Sequence, residues 1–110
     1  MDLLNELQNL QKQLSNSLKQ LRTNGIKLAE AERDYKIAVN KKALELRSRD
    51  MAVTLISQVI YGYPDIAELR FLRDSAEVIY NANREAINTL KLQIRILQNQ
   101  IDKEWANEKV

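Results

Sequence analysis

Two heptad-spaced runs of large apolar residues flank a single interruption, and almost nothing else in the chain breaks a helix. Leu7, Leu14, Leu21, Leu28 and Tyr35 recur every seven residues, with Leu3 and Leu10 beside them. Ile87, Leu90, Ile94, Leu97 and Ile101 set a second register. The helix-stopping residues are one proline, Pro64, and two glycines, Gly25 and Gly62. Apolar residues at such spacings fall on one stripe of a helix. The pattern predicts an all-α protein, a long antiparallel helical hairpin resembling a coiled coil. A short helix connects its two arms, and the hairpin assembles into a helical bundle.

A single helical domain over residues 1–110 accounts for this spacing. Helix one is expected over about 2–48, a tip helix over about 52–61, and helix two over about 65–105. Asn24-Gly25 resembles a turn, but the heptad phase runs through it from Leu21 to Leu28. It reads as a weak point or kink in a continuous helix. Between Met51 and Tyr63 the β-branched content suits a strand. A lone strand has no partner, and the spacing of Ile56, Val59 and Ile60 suits helix, which Gly62 would end. Asp65, following Pro64, reads as the N-cap of helix two, with Glu68 three residues on as in a capping box. Antiparallel folding would set Trp105 over Leu3, Leu4 and Leu7, closing the open end. It would also bring Asn83 near Ala31 and within reach of the Tyr35 hydroxyl.

Apolar residues at 45% and charged residues at 29% place the chain among globular proteins rather than disordered or membrane-spanning ones. No apolar run approaches the roughly 18 residues of a membrane span. Asp2 and Glu6 stand where an export signal carries positive charge. Cysteine is absent, so disulfides and thiol chemistry are excluded. A cytoplasmic location is the expectation. Histidine is absent too, which removes the common zinc sites and the Ser-His and Cys-His nucleophile systems. There is no glycine-rich loop to cradle phosphate. The carboxylate pairs Glu30/Asp34 and Asp74/Glu77 have Arg33 and Arg73 beside them and read as solvated ion pairs. The expectation is a protein that is not an enzyme and takes no cofactor and no metal.

Each helix carries a second apolar stripe opposite the first. On helix one it comprises Ile26, Ile37 and Leu44, and on helix two Phe71, Val78, Leu92 and Ile96. Two helices cannot cover both stripes of both, so a dimer or higher oligomer, or a foreign protein, is expected to bury them. The candidate partner surface is this second stripe, Phe71, Val78, Leu92 and Ile96, together with the apolar tip: Leu55, Ile56, Val59, Ile60, Tyr61 and Tyr63. Polar residues at seam positions, namely Ser17, Asn24, Arg73 and Asn83, either fix register or mark an imperfect seam.

Net charge is only +2. The most basic stretch, 33–49, holds six cations against Asp34 and Glu45. Arg33, Lys36, Asn40 and Arg47 share one strip on helix one. The candidate nucleic-acid contacts are Arg33, Lys36, Lys41 and Arg47, with Tyr61 and Tyr63 near enough to stack on exposed bases. The alternative is an ordinary solvated face.

AEAERDYKIA (29–38), LELR (44–47), VTLI (53–56), Arg73-Asp74 and INTLKLQIRILQNQIDKEW (87–105) resemble a group of small helical proteins of Gram-positive phages and prophages. The likeness covers roughly the last two-thirds of the chain, and the first 28 residues carry no family signal. It implies a setting, an infected bacterial host, and brings no functional residues with it. What the resemblance implies is a phage or prophage accessory protein that binds or inhibits a host or defence factor. The alternatives are a nucleic-acid-binding accessory protein in replication or recombination, or a structural or assembly element.

Overall fold

The computed structural model describes residues 2–108. Its elements are α1 (Leu3–Ser48), α2 (Val53–Val59), one 3-10 turn (Ile60–Gly62) and α3 (Pro64–Glu108). No strand occurs among the described residues. α3 continues past Trp105, the expected end of helix two.

Asp2 starts α1. Its Oδ1 accepts the Leu4 N–H at 2.9 Å and its carbonyl accepts the Glu6 N–H at 3.2 Å, as an N-cap residue does. The helix then runs through Asn24-Gly25 without a break. It ends in a Schellman turn: the Met51 N–H bonds the Leu46 carbonyl at 3.2 Å and the Asp50 N–H bonds the Arg47 carbonyl at 3.0 Å. Asp50 takes the left-handed position, φ 64°, usually filled by glycine. Met51 packs on the core around Leu46, supplying the apolar contact that accompanies such turns.

α2 has no side-chain cap at Ala52. Burial holds it in place. Ile56 and Ile60 form a core with Leu46, and Val39, Ala43, Met51 and Tyr63 pack around them. Gly62 closes the 3-10 turn without adopting positive φ. The turn into α3 is made by Tyr63, which is extended, followed by Pro64. The Tyr63 carbonyl accepts the Ala67 N–H at 2.8 Å. Pro64 occupies the first helical position, where its missing N–H costs no hydrogen bond. Asp65 is therefore not the N-cap expected from the sequence; it lies one residue inside α3 and pairs with Lys42.

The fold divides into two compact units, Asn24–Tyr80 and the remainder, each pairing a stretch of α1 with a stretch of α3. In the unit formed by residues up to Thr23 and from Asn81, the α1 seam reads Leu3, Leu7, Leu10, Leu14, Ser17, Leu21, all half-buried. The facing α3 seam reads Asn83, Ile87, Leu90, Ile94, Leu97, Ile101, with Ile87 and Leu97 buried. Both rows alternate steps of four and three residues, the heptad geometry read from the sequence. In the Asn24–Tyr80 unit, Tyr35, Leu46, Ile56, Ile60 and Ile66 are buried.

Polar seam positions are resolved locally. Asn83 Nδ2 donates to the Ser17 carbonyl at 3.2 Å. The expected approach of Asn83 to Ala31 and Tyr35 is thus incorrect. The ring of Tyr35 instead carries the Arg73 guanidinium, 4.7 Å from its centroid. Lys42 of α1 meets Asp65 at the very start of α3, which sets a register different from the expected one.

Candidate interaction surfaces

A two-helix seam leaves most of each helix uncovered. Seven large side chains are buried among the described residues, while fifteen large apolar ones remain exposed. The chain exposes 8398 Å², where a globular monomer of this mass exposes about 6,300 Å². The expected second stripes are among the exposed residues: Ile26, Ile37 and Leu44 on α1, and Phe71, Val78, Leu92 and Ile96 on α3. Leu72 and Ile79 are exposed as well. They widen the α3 stripe between Phe71 and Ile79 into a face, which the sequence reading missed by following single heptad rows.

The tip does not present all the residues expected of it. Ile56 and Ile60 are buried beneath α2 and are core, not partner surface. Their i, i+4 spacing puts Ile56 of α2 and Ile60 at the start of the 3-10 turn on the face of the tip turned toward Leu46. Val59 and Tyr63 are half-buried, and Tyr63 packs against the core with the Lys42 ammonium 4.9 Å from its ring centroid. Leu55 and Tyr61 are exposed, as is Val53. A shallow apolar groove is lined by Val59, Gly62, Tyr63 and Pro64, with Gln58 at its edge.

Trp105 lines a groove with Leu3, Leu4 and Ile101, so the expected neighbourhood is partly correct. Trp105 is 59% exposed, however, and does not seal the end as expected. A longer groove between α1 and α3 is bordered by Asn9, Gln13, Gln93 and Gln100 over Leu10 and Leu97.

The basic strip is solvent-exposed at Arg33, Lys36, Asn40 and Arg47. Lys41 is exposed but stands about 120° round the helix from Arg47, off the strip, by the helical period. Arg33 is held by Asp34 at 3.1 Å, and Arg47 donates to the Met51 carbonyl at 3.1 Å. Lys36 and Asn40 line a groove with Tyr35, Val39 and Tyr61. Arg70 stands over the other aromatic neighbour of this groove, its guanidinium 5.4 Å from the Tyr61 centroid. Of the two tip tyrosines expected to stack on bases, only Tyr61 is open to do so.

Of the carboxylates read from the sequence as members of ion pairs, Asp34 and Asp74 are bonded to their neighbouring arginines. Arg73 reaches Asp74 Oδ1 at 2.7 Å and Arg33 reaches Asp34 Oδ1 at 3.1 Å. The bond to Asp74 raises the Arg73 pKa further, so the guanidinium stays charged while lying on Tyr35. Lys42 bonds the Asp65 carboxylate at 3.1 Å and holds it below the ordinary aspartate range. Among the described residues no cluster of acidic side chains is arranged to hold a metal ion. Among the described residues no helix is long and apolar enough to cross a membrane.

No family model, curated protein or solved structure matches this chain.

Proposed function

We propose that this protein acts by protein–protein contact, as a helical interaction module without catalytic activity. The observation that carries this reading is the imbalance of apolar surface: large apolar side chains left in water outnumber those buried. Each such side chain gains about 1.5–3 kcal/mol on full burial, so a partner that covers several of them is strongly favoured. Leu55 at the tip and Phe71, Val78, Leu92 and Ile96 on α3 are the surface offered. In the setting the sequence resemblance implies, the chain is a phage or prophage accessory protein in the host cytoplasm, binding or inhibiting a host or defence factor. The test is capture from a Gram-positive host lysate by the tagged protein, with and without nuclease, against Leu55→Glu and Leu92→Glu. A protein retained after nuclease and lost with one variant supports the reading. Retention of nucleic acid alone overturns it.

A second reading is favoured by the groove of Lys36, Asn40 and Tyr61, flanked by Arg70. A base stacked on an exposed tyrosine with its phosphate on lysine is a common way to hold a single strand. In this reading the chain assists phage replication or recombination. Fluorescence anisotropy with a labelled oligothymidylate tests it. Binding that falls steeply with salt and is lost in Lys36→Glu and Tyr61→Ala supports it. Equal binding by those variants sinks it.

A further inference from the structure

We infer that the α3 face between Phe71 and Ile79 receives a second copy of this chain, antiparallel, about a twofold axis at Ser75. This rests on reading the exposed apolar surface as an interaction surface, and names its occupant. At about 100° per residue, Phe71, Leu72, Ser75, Val78 and Ile79 share one side of α3. Phe71 and Val78 point away from the seam row of Leu69, Arg73, Ala76 and Tyr80, while Leu72 and Ile79 border it. Leu72 lines a groove with Lys27, Glu30 and Asp34 of α1. Phe71 is 64% exposed, Leu72 48%, Val78 67% and Ile79 55%. No charged residue of α3 itself interrupts this side between Phe71 and Ile79. Absence of charge at the centre is what distinguishes the core of an interface from the rest of a surface. The α1 back stripe differs in this respect, because Glu30 and Arg33 lie within it between Ile26 and Ile37.

The face is its own complement. Large residues stand three and four positions either side of Ser75, which is small. Turning a second helix end for end about Ser75 sets Phe71 against the other copy's Val78 along one edge. Leu72 then meets the other copy's Ile79 along the other edge. The two serines face each other at the dyad, where small side chains allow close approach. Such a surface, matched to itself, is what a twofold interface requires.

Direction follows from Glu68, which is exposed and lies one turn before Leu72 on the same side. A parallel pair in register would press Glu68 against its own copy. The antiparallel pair sets it opposite Ala82.

The absence of cysteine makes the test direct. Sedimentation of the full chain is expected to give twice the 12.8 kDa protomer mass. Val78→Glu and Phe71→Glu, both at exposed positions, are expected to give the protomer mass with helical circular dichroism unchanged. Ile37→Glu, on the α1 back stripe, is expected to leave the dimer intact. Under mild oxidation, a mixture of Phe71→Cys and Val78→Cys chains should cross-link at least tenfold more than a mixture of Phe71→Cys and Leu72→Cys. The reverse preference means a parallel pair and overturns the geometry. A protomer mass for the unaltered chain at tens of micromolar overturns the proposal, while the interaction-module reading still stands on lysate capture. A dimer unaffected by both α3 charges places the interface elsewhere and also overturns it.

Discussion

The ring of Tyr80 lies against the backbone of Gly25, so closely that a β-carbon on Gly25 would sit 3.2 Å from Tyr80 Cε1. The glycine inside α1 is therefore more than a weak point, because it makes room for an aromatic ring from α3. Two effects oppose each other in Gly25→Ala. Alanine gains about 1 kcal/mol over glycine within a helix. The new methyl group must push the Tyr80 ring back by a few tenths of an ångström, and a ring packed in a seam yields less readily than a flexible chain end. Gly25→Ala alone is expected to change stability by less than about 0.5 kcal/mol, because the two offset. In a Tyr80→Ala background the same change is expected to stabilise by about 1 kcal/mol. Urea unfolding of the four chains gives the coupling. Equal effects in both backgrounds would show that the ring does not constrain this position.

Asp50 at φ 64° is a costly choice at the end of α1. A non-glycine residue in the left-handed region carries a steric penalty, and a carboxylate at a helix C-terminus faces the negative end of the helix dipole. Asp50→Gly is expected to raise stability by about 0.5–1 kcal/mol. Asp50→Asn removes the charge and tolerates the same backbone, so it should gain less but in the same direction. Thermal melts followed at 222 nm check both. A loss of stability in Asp50→Gly would mean the carboxylate makes a compensating interaction.

Heptad spacing made the two long helices and their seams legible in the sequence. Leu3 to Leu21 and Ile87 to Ile101 pack where their periodicity places them. Register was legible only in sign. It depends on how many residues the tip consumes, and Lys42 meeting Asp65 reflects the folding of α2 back onto Leu46, a tertiary arrangement with no local signal. The helix ends were partly misread for a related reason. Pro64 after an extended Tyr63 is a start signal in its own right, and it displaced Asp65 from the cap. Asp50 was invisible because the cue for a Schellman turn is glycine, and none is there. At the tip, Ile56 and Ile60 look like Leu55 and Val59 in composition. Only the position of α2 over Leu46 separates core from surface. The extra width of the α3 face is written in Leu72 and Ile79, which stand on rows of the wheel adjacent to the heptad stripe.

The Lys42–Asp65 pair joins α1 to the first turn of α3 at 3.1 Å. Because the hydrogen bond from Lys42 lowers the Asp65 pKa in the folded state, ionised Asp65 favours folding. That contribution is complete above the ordinary aspartate pKa of the unfolded chain. It is lost as pH falls through the lower folded value. The Asp65 carboxyl, followed by NMR, is expected to titrate below the ordinary aspartate value. In Lys42→Met its midpoint should rise, and the stability lost on acidification through this window should shrink. An unchanged midpoint would show that the pair is not formed in solution.

Ile60 is 3% exposed, whereas Val53, seven residues earlier on the same tip, is 66% exposed. The contrast separates the core of the tip from its surface. Ile60→Ala removes methyl groups from the cluster it forms with Leu46 and Ile56. A cost of about 2–5 kcal/mol is expected, by lost burial and by the cavity left behind. Val53→Ala deletes methyl groups already in water and should change stability by less than about 0.5 kcal/mol. Because α2 has no side-chain cap and depends on this cluster, Ile60→Ala is also expected to speed amide exchange in α2 well before the remainder of α1 and α3 is affected. Hydrogen exchange read by mass spectrometry checks that order. Uniform acceleration along the chain would mean that the tip unfolds only with the whole molecule.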